Sequence, residues 1–291
     1  MALSDDGLPT GITARPLEES DLQAALMLSE EAGWNQVPAD WRIFLKLGSA
    51  IGLTRGERLV ATAASLPYGD VFGWISMVLV TAAERRQGLA RRLLRDRVDH
   101  LLARNLVPVL DATAAGRNVY VGLGFRDCWT MRRLVGRTVR APQVEGGAAA
   151  VRALEPGDWP QVAGYDRAVF GADRRTLLHS LAQRLPEAAL VAERDGGIAG
   201  FLFGREGRIM NQLGPLAADA RDIATSLLAQ AITRVPGPLA IDVADRHAAV
   251  ADWLTGLGFQ VERPLTRMIY GASSGFHDRA RLFAIAGPEL G

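Results

Sequence analysis

Apolar residues along this chain keep two rhythms. Residues 59–67 and 72–80 are near-continuous apolar runs broken by Pro67-Tyr68-Gly69-Asp70, which predicts two buried strands joined by a turn. The stretch 89–103 changes period: Leu89, Leu93, Leu94, Val98, Leu101 and Leu102 form one helical stripe, flanked by Arg91, Arg92, Arg95 and Arg97. Residues 107–112 return to a short apolar run, a further buried strand. Upstream, 17–31 reads as a helix capped near Ser20, and 41–47 as a second one.

The second half of the chain shows the same order. Helices are expected over 159–170 and 176–185. A hairpin follows, 190–193 with 198–205, around Asp195-Gly196-Gly197. A helix over 219–233 leads to a strand at 239–243 and then to the segment 248–256. Two short motifs also recur at nearly the same offset. Arg15-Pro16-Leu17-Glu18-Glu19-Ser20-Asp21-Leu22 resembles Arg152-Ala153-Leu154-Glu155-Pro156-Gly157-Asp158-Trp159, and Leu123-Gly124-Phe125 returns as Leu257-Gly258-Phe259. Two copies of one unit therefore lie head to tail. The Gly-, Ala- and Pro-rich stretch 136–150 lacks either rhythm and reads as the connection. The expected division is a unit at 10–136, a linker at 137–150 and a second unit at 151–272. Alternating strands and helices favour an α/β layer, with a largely antiparallel sheet and a parallel crossover.

Composition narrows the class of protein. A chain of 291 residues, 48% hydrophobic and 22% charged, suits two globular units of ordinary size. The net charge of +1 gives no sign of a nucleic-acid or membrane-surface partner. No apolar run is long enough to span a bilayer, and Met1-Ala2-Leu3-Ser4-Asp5-Asp6 does not resemble a secretory signal. The single cysteine, Cys128, excludes an internal disulfide and reads as a buried strand residue; a reducing cytoplasm is the expected compartment. Lys46 is the only lysine, so arginine clusters carry less information here than usual.

The chemistry concentrates at one junction. Arg85-Arg86-Gln87-Gly88-Leu89-Ala90, an R-x-x-G-x-A pattern, connects the second apolar run to the striped helix. A strand, a glycine turn and a helix N-terminus direct free N–H groups and the positive end of a helix dipole at one spot, which suits a pyrophosphate. Further on stands Tyr120-Val121-Gly122-Leu123-Gly124-Phe125. Val80, Arg85, Gly88 and Ala90 together with Tyr120, Gly124 and Phe125 resemble the paired motifs of the GNAT superfamily of acyl-CoA-dependent N-acetyltransferases.

That resemblance implies two tandem GNAT folds, each a mixed, mostly antiparallel sheet flanked by helices. It implies acetyl-CoA as co-substrate, no metal, and an amine acceptor, with a small molecule favoured over a peptide or protein. A non-catalytic acyl-CoA-binding sensor is the rival from another class. By the same resemblance the backbone of Val78, Leu79 and Val80 would meet the pantetheine. The amides and charges of Arg85, Arg86, Gln87, Gly88, Leu89 and Ala90 would hold the pyrophosphate. Tyr120 would protonate the departing thiolate, a task for which a neutral phenol is suited.

Gly33-Trp34-Asn35-Gln36 and Asp111-Ala112-Thr113-Ala114-Ala115-Gly116 further resemble a tandem subgroup whose second domain is degenerate. Trp34 and Asn35 are thereby candidates for the acceptor wall, with Trp34 as a core anchor the alternative. Many relatives carry an asparagine where this chain has Thr113. No residue declares itself as the base: Glu84, Asp111, Asp40 and Asp173 are available, and so is water. Asp173 reads better as a helix N-cap.

In the second copy Leu254 stands at the tyrosine position. Leu213-Gly214-Pro215-Leu216-Ala217-Ala218-Asp219-Ala220 is expected where the phosphate loop would lie, without its arginine. That copy is expected to have lost acyl-CoA binding. Gly271-Ala272-Ser273-Ser274-Gly275 matches a hydrolase pattern by letters alone. His100, His179, His247 and His277 lack metal-ligand spacing.

Overall fold

The computed structural model of the protein describes residues 7–142, 149–271 and 275–291. The N-terminal hexapeptide, the centre of the expected linker and the middle of the G-x-S-x-G match lie outside the described residues.

The first half runs β1 (Ile12–Pro16), α1 (Leu22–Glu31), α2 (Pro38–Leu47), β2 (Ser49–Arg55), β3 (Arg58–Tyr68), β4 (Phe72–Val80), α3 (Leu89–Leu102), β5 (Val107–Thr113), α4 (Ala114–Val121) and β6 (Phe125–Gly136). The second half repeats that order: β7 (Ala150–Ala153), α5 (Trp159–Phe170), α6 (Arg175–Arg184), β8 (Leu190–Arg194), β9 (Gly197–Arg205), β10 (Asn211–Ala218), α7 (Arg221–Arg234), β11 (Leu239–Ala244), α8 (Ala248–Gly256) and β12 (Gln260–Tyr270). A short strand, β13 (Leu282–Ala284), follows.

The recurring Arg…Asp motif explains itself here. Asp21 grips Arg15 through two bonds of 2.7 and 2.6 Å and accepts the Glu18 amide at 2.9 Å. Asp158 grips Arg152 at 2.7 and 2.8 Å and accepts the Glu155 amide at 2.8 Å. In both copies the aspartate folds the preceding residues into a tight turn. The α-helix proper therefore starts at Leu22, later than the pattern from Leu17 suggested. On α3 the stripe is buried from Leu89 to Leu101, but Leu102 is exposed. Arg97, expected on the flank, is buried between Asp96 and the Ser49 hydroxyl.

All described strands join one sheet, in the order β1-β2-β3-β4-β5-β12-β6-β11-β13-β10-β9-β8-β7. The pairings β4–β5 and β10–β11 are parallel; every other pairing described is antiparallel. The order reveals an exchange that the sequence pattern does not show. β12, the last long strand of the second half, lies beside β5 of the first, with Leu265 opposite Thr113 and Ile269 opposite Val109. β6, the last strand of the first half, lies beside β11 of the second, with Leu239 opposite Gly136. β6 and β12 pair with each other at the centre. Each half thus completes its sheet with a strand from the other.

Packing at the junction follows from that exchange. Arg267 of β12 is fully buried, holds Asp111 of β5 at 2.9 and 2.8 Å, and lies 4.4 Å from the ring centres of both Trp74 and Trp129. Phe72 of the first half packs on Phe170 and stacks on Phe276 of the second, at centroid distances of 5.3 and 4.7 Å. The last residues thread between the halves: the Trp74 indole donates to the Pro288 carbonyl at 2.9 Å, and Leu290 is fully buried.

Candidate active site

The segment from Thr81 to Gly88 between β4 and α3 is built as a rigid loop. Glu84 is held by Arg55 at 2.6 and 2.9 Å and by the Gln87 side chain at 2.8 Å. The Arg55 guanidinium draws the Glu84 carboxyl down to about 2, so it stays ionised as a structural clamp. Glu31, from α1, accepts the Thr81 hydroxyl at 2.8 Å and the Ala82 amide at 2.6 Å. Arg86 and Gly88 both take left-handed backbone, with φ of 65° and 79°. Gly88 is the N-cap of α3 and offers no side-chain acceptor. The first-turn amides of Leu89, Ala90 and Arg91 therefore have no partner within the helix. They border a hollow of about 400 Å³ whose walls include Val80, Arg85, Arg86 and, from α4, Asn118 and Val119. Free amides, a helix dipole and arginines on one concavity fit a diphosphate.

A slot leads inward from this hollow. β4 and β5 pair only from Phe72 opposite Val107 to Trp74 opposite Val109, and beyond that they diverge. β4 also bulges at Met77, whose φ is 53° and whose carbonyl accepts the Thr62 hydroxyl at 2.8 Å. Past the bulge, Leu79 and Val80 pair with β3 on one side, while on the side toward β5 no strand of the described residues pairs with them. Val78 and Val80 are half-buried along the slot, and the Leu79 side chain turns into the core. The Gln87 side chain is engaged by Glu84 and the Leu89 side chain is buried, which leaves their amides for any ligand.

Tyr120 stands where slot and interior meet. It lies on α4, whose N-terminus Thr113 caps by accepting the Gly116 amide at 3.3 Å. The ring packs on Phe125, centroids 6.3 Å apart. Burial pushes the phenol above its ordinary value, so it is neutral across the physiological range. Among the described residues no protein group hydrogen-bonds to its oxygen.

On the far side of Tyr120 opens a second cavity, also about 400 Å³, walled by both halves. Ser76, Met77 and Val78 of β4 and Asp111 of β5 face it from the first half. Arg205, Gln212, Glu262, Arg263 and Glu289 face it from the second. Most of these charges are already paired. Arg133 of β6 clamps Asp242 at 2.8 and 2.7 Å. Arg205 bridges Asp40 and Glu289, and against the cost of burial Arg205 and Arg133 hold the Glu289 carboxyl below its usual range. Burial pushes Asp111 upward, against the pull of Arg267. The signals for this network were single arginines and carboxylates scattered over both halves. Only the strand exchange brings them together.

Trp34 and Asn35 both reach this cavity. Trp34 is half-buried and packs against the main core. The Asn35 side chain donates to the Met210 carbonyl at 2.8 Å and accepts the amides of Ile209 and Met210 at 2.8 and 3.1 Å. It thereby fastens the β9–β10 connection over the cavity. Gly207 makes that approach possible, since a Cβ there would meet the Asn35 amide at 2.1 Å. Of the carboxylates considered as a base, only Asp111 borders the cavity. Glu84 belongs to the loop, Asp40 is buried under Arg184 and Arg205 while accepting the Val37 amide, and Asp173 accepts the Arg175 amide at the start of α6.

In the second half one reading needs correction. Residues 213–218, expected to occupy the phosphate-loop position, are strand: they lie in β10, paired with β9 and β11. Apolar content and pairing on both sides draw them into the sheet. Only Asp219 and Ala220 connect β10 to α7. Leu254, at the tyrosine position, is fully buried in the second core. Among the described residues no His, Cys, Asp and Glu cluster could hold a metal ion. No described helix is long and apolar enough to cross a membrane.

Comparison with known proteins fits this geometry. Residues 20–125 match the Acetyltransferase (GNAT) family model, and residues 162–284 match an Acetyltransferase (GNAT) domain model. The chain is 22% identical over 276 residues to the uncharacterized N-acetyltransferase YitH of Bacillus subtilis, covering 94% of this chain and 97% of the relative. A crystal structure of a putative acetyltransferase from Pyrococcus horikoshii superposes with a TM-score of 0.80 at 18% identity, covering 97% of each chain. A tandem GNAT protein from the clavulanic acid biosynthesis pathway superposes with a TM-score of 0.62 at 12% identity, covering 89% of this chain and 98% of that one.

Proposed function

Because the chain belongs to the GNAT superfamily and is an acyltransferase built from two GNAT units in tandem, we propose that it moves an acetyl group from acetyl-CoA to the primary amine of a small molecule. The observation that carries this reading is the position of Tyr120, between the amide-lined hollow at Gly88 and the interior cavity. In this proposal 10–136 is the catalytic unit, 137–150 the linker, and 151–272 a unit without its own acyl-CoA site that walls the acceptor cavity.

The amides and charges of 85–90 hold the pyrophosphate, and the vacant edge of β4 at 78–80 pairs with the pantetheine. The amine enters from the cavity near Trp34 and attacks the thioester carbonyl carbon. The carbon–sulfur bond breaks and the thiolate takes the Tyr120 proton. Asp111 or a water in the cavity receives the proton lost by the amine. A cavity covered by the β9–β10 connection suits a small molecule better than a peptide, which needs an open groove. The compartment in this reading is the cytoplasm.

Calorimetry with acetyl-CoA, paired with thiol release over a panel of amines, tests the assignment. One acetyl-CoA per chain and turnover of at least one small amine are expected, with Tyr120→Phe slowing turnover and leaving cofactor affinity nearly unchanged. Tight binding without turnover on any amine would make the protein a sensor. An unchanged rate in Tyr120→Phe would remove that residue from the chemistry.

A further inference from the structure

The cavity's two ends differ in how their charges are satisfied. At the deep end each guanidinium has a close acidic partner: Arg133 has Asp242, and Arg205 has Asp40 and Glu289. At the outer end Arg137, just past β6, and Arg263 of β12 line the cavity beside one carboxylate, Glu262, whose nearest approach to Arg263 is 4.0 Å. Arg263 stands directly opposite Arg133 in the β6–β12 register, next to a bulge that sets Glu262 out of pairing. Like charges in register repel. Bulges commonly re-aim a side chain beside a site. The Arg263 Nε is buried without an acceptor among the described residues. Burial and the neighbouring Arg133 disfavour its charged form. Elsewhere on the cavity wall the unmet groups are of another kind: the Ser76 hydroxyl of β4 and the Oε1 of Gln36, whose amide donates to Glu289 at 2.9 Å, are buried without partners among the described residues. An amine N–H can satisfy an amide oxygen and a hydroxyl, and an anion can satisfy a guanidinium.

Resting on the acetyl-transfer reading above, we propose that the acceptor is an amine that also bears a carboxylate, with the carboxylate held by Arg263 and Arg137 and the amine directed toward Gln36 and Ser76. Two guanidiniums against one carboxylate leave a single positive charge at the outer end, which matches a monoanion rather than a doubly charged phosphate. Arg263 comes from the second half and Arg137 from the end of the first. The site therefore exists only because β6 and β12 are exchanged.

The test uses ω-amino acids of graded chain length, each paired with its primary amide, and an aminoalkylphosphonate as the dianionic arm. Thiol release is followed at saturating acetyl-CoA with the full-length protein. For the best-fitting length the acid should exceed its amide in kcat/KM by about ten-fold or more, the scale of one charge-assisted hydrogen bond. Arg263→Gln should shrink that acid-to-amide ratio by about ten-fold, chiefly through KM, and Arg263→Lys should restore part of it. Equal use of acid and amide at every length, a preference for the phosphonate, or a ratio unchanged in Arg263→Gln would overturn the proposal. Calorimetry of the same pairs on the protein saturated with CoA separates the two claims. Acid-selective binding that Arg263→Gln abolishes supports the carboxylate site even where no acetyl group moves, and binding equal or absent for both members overturns it. Loss of acetyl-CoA binding itself would instead sink the acetyl-transfer reading.

Discussion

The two halves share a scaffold and differ at one connection. In the first, the chain from Thr81 to Gly88 joins β4 to α3 and presents unpartnered amides beside arginines. In the second, Asp219 and Ala220 alone join β10 to α7, too short a span to curl around a diphosphate. The charge is reversed as well. Asp219 lies at the start of α7, where it accepts the Tyr165 hydroxyl at 2.8 Å and lies 3.4 Å from Arg194. A carboxylate there already answers the helix dipole and would repel a phosphate. The contrast between half-buried Tyr120 and fully buried Leu254 runs the same way. Scaffold features such as the Arg15–Asp21 and Arg152–Asp158 clamps are kept in both copies. The fold thus depends on the motifs that repeat, and the chemistry on those that do not.

The largest expected effect asks whether the halves are separable at all. Arg267→Met leaves Asp111 as a buried carboxylate without its partner, at the seam made by the exchanged strand. Breaking one side of a buried pair costs about 3–5 kcal/mol. Urea unfolding should show that loss in a single transition common to both halves. Two transitions, with only one shifted, would mean the halves fold independently despite the shared sheet.

Next in size is the connection itself. Gly88→Val puts a β-branched side chain at φ 79°, on the rim of the hollow, where the space around a new Cβ is otherwise open. Acetyl-CoA affinity should fall by at least about ten-fold, because the valine strains the loop and stands where the phosphates approach. Asp219→Ala, at the corresponding place in the second half, should leave that affinity unchanged. An equal loss from both substitutions, measured by calorimetry, would erase the distinction between the copies.

Much of this contrast was legible in the residues. The R-x-x-G-x-A loop lies between β4 and α3, as the change of period at Gly88 indicated, and α5 and α8 fall on the segments expected. Periodicity reports which face of an element is buried, and both copies are strongly patterned. What it cannot report is which strand lies beside which. β6 and β12 have similar amphipathic character, so nothing local says that each pairs across to the other half. The acceptor cavity was hidden for that reason: Arg133, Arg205, Arg263 and Glu289 are distant in sequence and meet only through the exchange and the C-terminal segment. Residues 213–218 were misplaced because a glycine and a proline inside a strand imitate a loop.

The tyrosine position gives a smaller effect. Tyr120→Phe should lower kcat about ten- to hundred-fold, at or below the lower end of what a general acid usually contributes, because a thiolate is a good leaving group. Leu254→Tyr should add no activity and should cost stability, about 1–3 kcal/mol, by forcing a hydroxyl into a filled core. Burial raises the Tyr120 phenol, so its ionisation should not produce an alkaline decline in kcat below pH 10.

The smallest effect concerns the seam between the copies. His277 is packed against Phe170 of the second half, at 4.9 Å between centroids, and against Phe72 of the first at 5.8 Å. Its Nδ1 lies on the Phe170 carbonyl, which calls for a proton there and leaves the neutral ring its favoured form. Burial, with Arg267 and Arg174 nearby, holds its pKa well below the ordinary histidine range. The unfolded chain therefore binds a proton that the folded chain refuses. Stability is complete above the unfolded value and declines as pH falls beneath it, with a slope approaching about 1.4 kcal/mol per pH unit for one proton. His277→Gln removes that proton from the balance. Its melting temperature should be lower at pH 7.5, where the ring contacts are lost, yet should fall less between pH 7 and 5 than the wild type does. The buried carboxylates nearby, Asp111 and Glu289, are present in both proteins and cancel in the comparison. Parallel pH profiles would place the acid sensitivity in those ion pairs and leave the histidine as packing alone.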